Sequence, residues 1–306
     1  MIRCLKKQLD HAEIHFLTKE KHEDLLRANP YIDKIHLLKS NLSDIVQELQ
    51  DEKFDYVIDL HHNLRSQIIK QNLRKKTFTF QKLNIKKWLL VRLKINAMPK
   101  VHIVDRMMDA VAPLGIKNDM KGLDYFIPKD EVFEFDKLPN EFQNGYVAIV
   151  LSGTYHTKRL PPEKHLELIS KANVPYILLG GKSEIRLANQ IKEQTKGKIL
   201  DLCNKLNINQ SALVVKQARL VIANDTGLMH IAAAFKKKIL SVWGSTTPEL
   251  GMTPYLANKN SKLQQVTGLN CQPCSKIGRH QCPKEHFRCM LDQDTTEMAA
   301  WINQQF

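Results

Sequence analysis

Leu220-Val221-Ile222-Ala223-Asn224-Asp225-Thr226-Gly227-Leu228-Met229-His230 reads as a strand, a turn and the opening of a helix. Leu220 to Ala223 form the unbroken apolar run of a strand buried on both faces. Asn224 to Gly227 are turn and helix-capping residue types, and Leu228 to Phe235 continue as a helix with Lys236 to Lys238 at its end. A helix that starts straight after a buried parallel strand points backbone N–H groups and the positive end of its dipole at whatever docks there. Gly227 lets a phosphate approach that backbone closely, and His230, one turn in, adds a side-chain donor. The plainer alternative is a capped helix with Asp225 or Thr226 as its cap.

Working outward, the same alternation recurs. Strand-like runs at Ile14 to Leu17, Tyr56 to Leu60, Val147 to Leu151, Tyr176 to Leu179 and Ile239 to Trp243 are each followed by a helical pattern. Such alternation predicts an α/β protein with parallel sheets covered by helices. A chain of 306 residues can bury two cores. The acidic, aromatic, Pro-containing stretch from Asn118 to Gly145 reads as the linker, which gives domains of 1–140 and 141–306. The second ends in a helix, Thr295 to Gln305, expected to pack back across the cleft between the domains. The opening is unusual: Ile2 to Leu9 reads as an amphipathic helix running into the strand Ile14 to Leu17. The sequence therefore starts inside a strand-helix-strand unit, one strand short of a complete parallel sheet.

Composition narrows the partners. Lys and Arg outnumber Asp and Glu 46 to 32, a net charge of +14 that favours anionic partners. The excess sits in the first half: residues 51–100 hold twelve cations against four acids, whereas 101–150 hold five against nine. No recognisable nucleic-acid module accompanies the charge, so nucleic acid is not an expected partner. Neither a signal peptide nor an apolar run long enough to span a bilayer is present, which predicts a cytoplasmic protein whose six cysteines stay reduced.

Asp225-Thr226-Gly227-x-x-His230 after an apolar strand, followed by Val242-Trp243-Gly244-Ser245-Thr246-x-Pro248, resembles glycosyltransferase family nine, the bacterial heptosyltransferases of lipopolysaccharide core synthesis. The resemblance runs over most of the chain and implies two Rossmann-like domains facing a cleft, the GT-B architecture, with an acceptor domain first and a nucleotide-sugar domain second. In that family the Asp-Thr-Gly segment holds the donor's diphosphate and ribose. Leu151-Ser152-Gly153 followed by Lys158-Arg159-Leu160-Pro161 looks like the family's glycine turn and Lys-Arg-Trp-Pro element, whose lysine contacts the donor phosphates. A cation there stabilises charge that grows on the leaving diphosphate. Gly180-Gly181-x-x-Glu184 resembles the Gly-Gly-x-x-Glu whose glutamate meets donor hydroxyls, although Glu184 also suits the first turn of its own helix, with Ser183 as cap. On the acceptor side, Asp59-Leu60-His61-x-Asn63-x-Arg65-Ser66 is similar to the family's Asp-x-x-x-Asn-x-Arg stretch, in which Asn63 and Arg65 would bind an acidic acceptor.

The resemblance further implies an ADP-heptose donor, inversion at the anomeric carbon, no cofactor and no catalytic metal. The acceptor would be an acidic, lipid-linked saccharide. Lys75 to Lys94 mix seven cations with Phe78, Phe80 and Trp88, a basic amphipathic segment suited to the inner face of the inner membrane or, equally, to a core helix with snorkelling side chains. Cys271-x-x-Cys274 with Cys282 and Cys289 has the composition of a four-thiolate zinc knuckle, with His280 and His286 nearby, but only the first gap is that of a zinc ribbon. Packed, reduced thiols are the expectation. In one respect the sequence departs from the family: the first strand and the Gly-Asp loop that carries the general base do not precede Ile2. Asp59 is the remaining candidate base by strand position, and the alternative is a nucleotide-sugar-binding relative impaired in catalysis.

Overall fold

The computed structural model describes residues 1–306. They form two compact units, Met1–Asn84 with Val101–Met120 and Ile85–Lys100 with Lys121–Phe306.

The first unit runs α1 (Ile2–Gln8), β1 (His15–Lys19), β2 (Lys34–Leu38), α2 (Leu42–Asp51), β3 (Tyr56–Asp59), α3 (Leu64–Leu73) and β4 (Lys76–Thr79). Its strands make two separate parallel pairs, β1 with β2 and β3 with β4, and no ladder joins the pairs. Cys4 and Leu5 of α1 pack with Met108, Val111 and Ile116, while Ile45, Val46 and Leu49 of α2 pack with Ile69 and Leu73 of α3. Arg3 closes α1 onto the end of the unit through a two-pronged pair with Asp119, both bonds 2.8 Å.

The basic stretch from Lys75 to Lys94 is not one amphipathic element. Thr77-Phe78-Thr79-Phe80 alternates with the strand period and becomes β4 and its end, burying Phe78 and Phe80. A helical stretch follows: α4 (Asn84–Trp88), then a π-helical turn, Leu89–Leu93, with Trp88 54% exposed. The first unit resumes with α5 (Ile103–Met108).

The second unit begins earlier than the charge pattern suggests. Leu123, Tyr125, Ile127, Phe133 and Phe135 pack on its core beside the buried Leu138, while Asp124, Asp130, Glu134 and Asp136 face water. The stretch read as a linker therefore folds as a strap, because its apolar residues can be buried even though its acids cannot. After the short α6 (Asn140–Gln143) come β5 (Val147–Val150), α7 (Pro162–Lys171), β6 (Tyr176–Leu179), α8 (Ile185–Gln194), β7 (Ile199–Asp201), α9 (Ile208–Gln217), β8 (Leu220–Asn224), α10 (Gly227–Ala234), β9 (Lys238–Trp243), β10 (Lys262–Gln265), α11 (Arg288–Leu291) and α12 (Thr295–Gln305).

Six parallel strands line up as β10-β9-β8-β5-β6-β7. Successive side chains of a strand face opposite ways, and both faces are covered here. Val147, Ile149, Tyr176, Leu178, Leu220 and Ile222 share one core, and Ala148, Val150, Ile177, Leu179, Val221 and Ala223 share the other. The last helix packs on its own unit. Thr295 Oγ1 donates to Glu167 of α7 at 2.8 Å, Lys171 Nζ donates to Thr295 and Thr296 at 2.9 and 2.8 Å, and Met298, Ala299 and Ile302 enter the first of the two cores.

His165 on α7 is buried, and neither ring nitrogen makes a hydrogen bond of normal geometry. Burial lowers its pKa to about 4, outweighing the Leu160 backbone, which favours the charged form. The unfolded chain takes up this proton near its ordinary 6.5 and the folded chain only near 4, so between those values the unfolded state binds more protons. Stability falls as the pH drops through that window, by about 3 kcal/mol in all. Urea unfolding of the protein and of His165→Leu at pH 7 and pH 4 checks this. The variant is expected to match or exceed the parent at pH 7 and to lose about 3 kcal/mol less on acidification.

Candidate functional site

Read from β7, the second sheet has the order β7-β6-β5-β8-β9-β10, which is that of a doubly wound dinucleotide-binding sheet. The order reverses between β5 and β8, and ligands of such sheets bind outside the carboxyl ends of the two strands at the reversal. The segments leaving those ends are Leu151 to Arg159 and Asp225 to His230. One ion pair joins them: Lys158 Nζ lies 2.6 Å from Asp225 Oδ2, with both side chains largely buried.

The β8 side is the more telling. Thr226 is the N-cap residue of α10 in extended conformation, yet its side chain caps nothing, and its Oγ1 is buried without a hydrogen-bond partner. The Asp225 carboxylate is engaged by Lys158 and, at 3.4 Å, by the Thr246 hydroxyl. The capped-helix alternative thus fails, whereas α2, α3, α9 and α12 all carry side-chain caps. A Cβ added at Gly227 would meet nothing within 4 Å, so open space lies over the first turn. Uncapped amides, an unpaired hydroxyl, open space and a nearby ammonium form an anion-binding arrangement. His230 sits half-buried one turn further on.

On the β5 side, Arg159 organises the turn. Its Nε donates to the Gly153 carbonyl at 2.7 Å, and its Nη2 lies 3.1 Å from Glu184 Oε1. Glu184 is 2% exposed; its Oε2 accepts from the Gly181 N–H at 2.8 Å and its Oε1 from Ser183 at 2.6 Å. The structure places Glu184 as a strut between the ends of β5 and β6, with its oxygens committed to protein donors. The first of the two glycines before it is required by space, since a Cβ at Gly180 would approach Glu184 Cβ to 2.7 Å. Behind Lys158, Thr157 Oγ1 donates to Ser245 Oγ at 2.9 Å, and Thr157 exchanges backbone and hydroxyl bonds with Arg279. Thr157 escaped the sequence reading, and Arg159 and Ser245 stood in its motifs without a role, because their partners lie far along the chain and no spacing announces them.

The acceptor-side residues gather on β3 and α3 of the first unit. Asp59 is buried, and Oδ1 accepts from the His61 and His62 amides at 3.0 and 2.7 Å. Oδ2 accepts from Ser66 at 3.0 Å and pairs with Lys70 at 2.8 Å. Burial works to raise its pKa, but Lys70 and these hydrogen bonds outweigh it and hold the carboxyl below its ordinary value. That environment suits a loop anchor and argues against a general base. Asn63 caps α3 in a reciprocal box with Ser66, and Arg65 is exposed on the first turn.

Two side-chain clusters lie apart from these. His15 Nδ1 and His36 Nε2 are 3.0 Å apart with Glu52 3.8 and 3.9 Å away, a grouping the sequence separation hides. Glu13, Glu48 and Lys34 bond its outer atoms, so it closes on itself as a network between β1 and β2. Cys271, Cys274, Cys282 and Cys289 line one small cavity with Gly244, Ser245 and His286, and all four are free thiols. Burial, then the neighbouring Cys282, raises Cys274, and Cys289 is pushed up to about 12 by burial and then by the other three thiols. No helix is long and apolar enough to cross a membrane.

A family model described as glycosyltransferase family 9 (heptosyltransferase) matches residues 43–285. Lipopolysaccharide heptosyltransferase 1 of Campylobacter coli is 25% identical over 279 residues, covering 80% of this chain and 79% of that protein. Lipooligosaccharide heptosyltransferase 2 of Campylobacter jejuni is 36% identical over 116 residues, 37% of this chain, and the matched stretch spans only 34% of that relative. Among solved structures, E. coli ADP-heptose lipopolysaccharide heptosyltransferase II superposes with a TM-score of 0.71 at 16% identity, covering 99% of this chain and 92% of that one. E. coli heptosyltransferase WaaC with ADP gives 0.69 at 17% identity over 100% and 94%. At those identities the likeness is one of fold, and it agrees with the α/β architecture read from the sequence.

Proposed function

Because the chain belongs to glycosyltransferase family 9, the heptosyltransferases, we propose that its second unit binds an ADP-sugar and that the protein moves a heptose, or a related sugar, from it to an acidic lipopolysaccharide-core acceptor with inversion. The observation that carries this reading is the uncapped head of α10 at the sheet reversal, with Lys158 beside it. Amides of the first turn and the Thr226 hydroxyl would take the diphosphate oxygens, and Lys158 would leave Asp225 for the phosphates as negative charge develops on the departing ADP. Asp225 then holds the ammonium ready between turnovers. Gly153 and Arg159 fix the β5 turn on which Lys158 rides.

The test is calorimetric titration with ADP-heptose, followed by measurement of ADP release on adding a lipopolysaccharide-core acceptor. Donor binding with acceptor-dependent release supports the transferase. Absence of binding sinks the reading. The saturation of Asp59 supports a second reading, in which the chain binds the donor without transferring it because Asp59 is not free to take the acceptor's proton. Binding without release would select that one.

A further inference from the structure

Along β1 and β2 the strand period and the parallel register bring two histidines to one face. His15 pairs with Lys34 and Leu17 with His36, so His15 and His36 sit diagonally across the ladder with their side chains on the same side. That side is the one α2 covers, for Leu17 and Leu38 pack with its Ile45, Val46 and Leu49. Glu48 and Glu52, one helical turn apart at the end of α2, face the two rings. The surroundings are dry: His36 is 0% exposed, and Phe54 stands nearly perpendicular to both rings at centroid separations of 5.1 and 6.3 Å. The outer nitrogens are committed, His15 Nε2 to Glu13 Oε1 at 2.9 Å and His36 Nδ1 to Glu48 Oε1. A carboxylate only accepts, so each outer nitrogen carries its ring's hydrogen. The inner nitrogens, His15 Nδ1 and His36 Nε2, are then two bare lone pairs facing one another at 3.0 Å, with the Glu52 carboxylate 3.8 and 3.9 Å away. Lys34 reaches only one oxygen of Glu52, Oε1. Three buried acceptors with no hydrogen among them repel unless a cation joins them.

We propose that His15, His36 and Glu52 form a binding site for one zinc ion that staples β1, β2 and α2 together. Two imidazole nitrogens and a carboxylate oxygen are a three-residue zinc donor set that leaves a fourth position for water, and imidazole selects zinc over magnesium or calcium. Donor atoms about 2.0–2.1 Å from a tetrahedral zinc stand roughly 3.3 Å from one another, so separations of 3.0, 3.8 and 3.9 Å close on the ion with small shifts. A carboxylate behind each ring is also the arrangement that holds a metal-binding imidazole in its tautomer and orientation. On binding, each ring gives an electron pair to the metal and keeps its outer hydrogen, Glu52 gives Oε2, and Lys34 stays on Oε1; no covalent bond breaks and nothing is oxidised. The gain falls where the fold is thinnest. The strands of the first unit stand in two-stranded pairs, which are marginal by themselves, and the ion would cross-link both strands of one pair to their covering helix. The site stands whether or not the second unit binds an ADP-sugar.

The full chain, stripped with a chelator and dialysed, is titrated with zinc chloride by calorimetry beside His15→Gln, Glu52→Gln and the control Cys274→Ser, which removes a thiol from the cysteine-lined cavity of the second unit. One zinc per chain is expected in the parent and unchanged in the control, with the Kd raised at least about 100-fold in the other two variants. Glu13→Gln removes no ligand and should weaken binding about 10-fold through the His15 ring that Glu13 orients. Zinc at about 100 times its Kd should raise the Tm of the stripped parent by on the order of 5 °C. Cobalt in its place should give the visible bands of nitrogen and oxygen ligation without the near-ultraviolet absorption of a cobalt–thiolate bond. If a variant fails to fold, the melting shift and the cobalt spectrum of the parent still decide. A stripped parent that takes up no zinc overturns the site and leaves the inner nitrogens joined by a proton. Zinc held equally by His15→Gln and Glu52→Gln, or a cobalt spectrum of thiolate type, overturns it by placing the metal on other residues. None of these measurements reads donor binding, which is titrated separately with ADP-heptose.

Discussion

Replacing Lys158 by methionine lowers kcat at saturating donor by about 10²- to 10³-fold, the usual cost of removing one charge-stabilising donor from a transition state. The same change strands Asp225, which is 8% exposed and loses its only cationic partner, so the fold weakens by on the order of 3 kcal/mol. The two effects separate in the double variant Lys158→Met, Asp225→Asn. Removing both charges leaves no buried ion unpaired, so stability returns while turnover does not. Urea unfolding and steady-state kinetics on the three proteins read both quantities. Recovery of kcat in the double variant would mean that Lys158 serves only the fold, and the proposed role on the diphosphate would be lost.

Gly227→Ala should move stability and donor binding in opposite directions. Beyond its chain neighbours and its own helix backbone no protein atom lies within 4 Å of the added methyl, the residue is not in the left-handed region, and alanine outranks glycine in a helix. The Tm is therefore expected to stay level or rise, by up to about 1 kcal/mol of stability. The methyl, however, occupies the open space through which a phosphate would reach the amides of the first turn. The Kd for the ADP-sugar should rise about 10- to 100-fold, which is 1.4 to 2.8 kcal/mol. Calorimetry beside a thermal melt resolves the pair. An unchanged Kd would place the diphosphate elsewhere.

How much of this could be read in advance follows from burial. β5, β6, β8 and β9 are covered on both faces, so their sequences are continuous apolar runs that announce strands. β10 is Lys262-Leu263-Gln264-Gln265 and β7 has three residues; both lie at sheet edges, where polar and short sequences suffice, and neither stood out. The packing of the strap before Asn140 on the second core was hidden because charge dominates its composition while its apolar residues are the ones buried. At the candidate site, the turn Asp225-Thr226-Gly227 was legible because strand-turn-helix geometry fixes it locally, and Lys158 was marked only by the resemblance of its motif. The roles of Arg159 and Glu184 were not legible, since the bond between them spans 25 residues and depends on two strands lying side by side. The cysteines show the same limit, for their convergence rests on chain folding that gaps of seven and six residues do not reveal.

The divided sheet of the first unit carries one further consequence. In the second unit only β7 and β10 present a side with no neighbouring strand, whereas each of β1 to β4 does. Unoccupied peptide groups along a strand are a template on which any extended backbone can add. Self-association of this protein would accordingly nucleate on the first unit, and an added extended segment docking there would steady that unit.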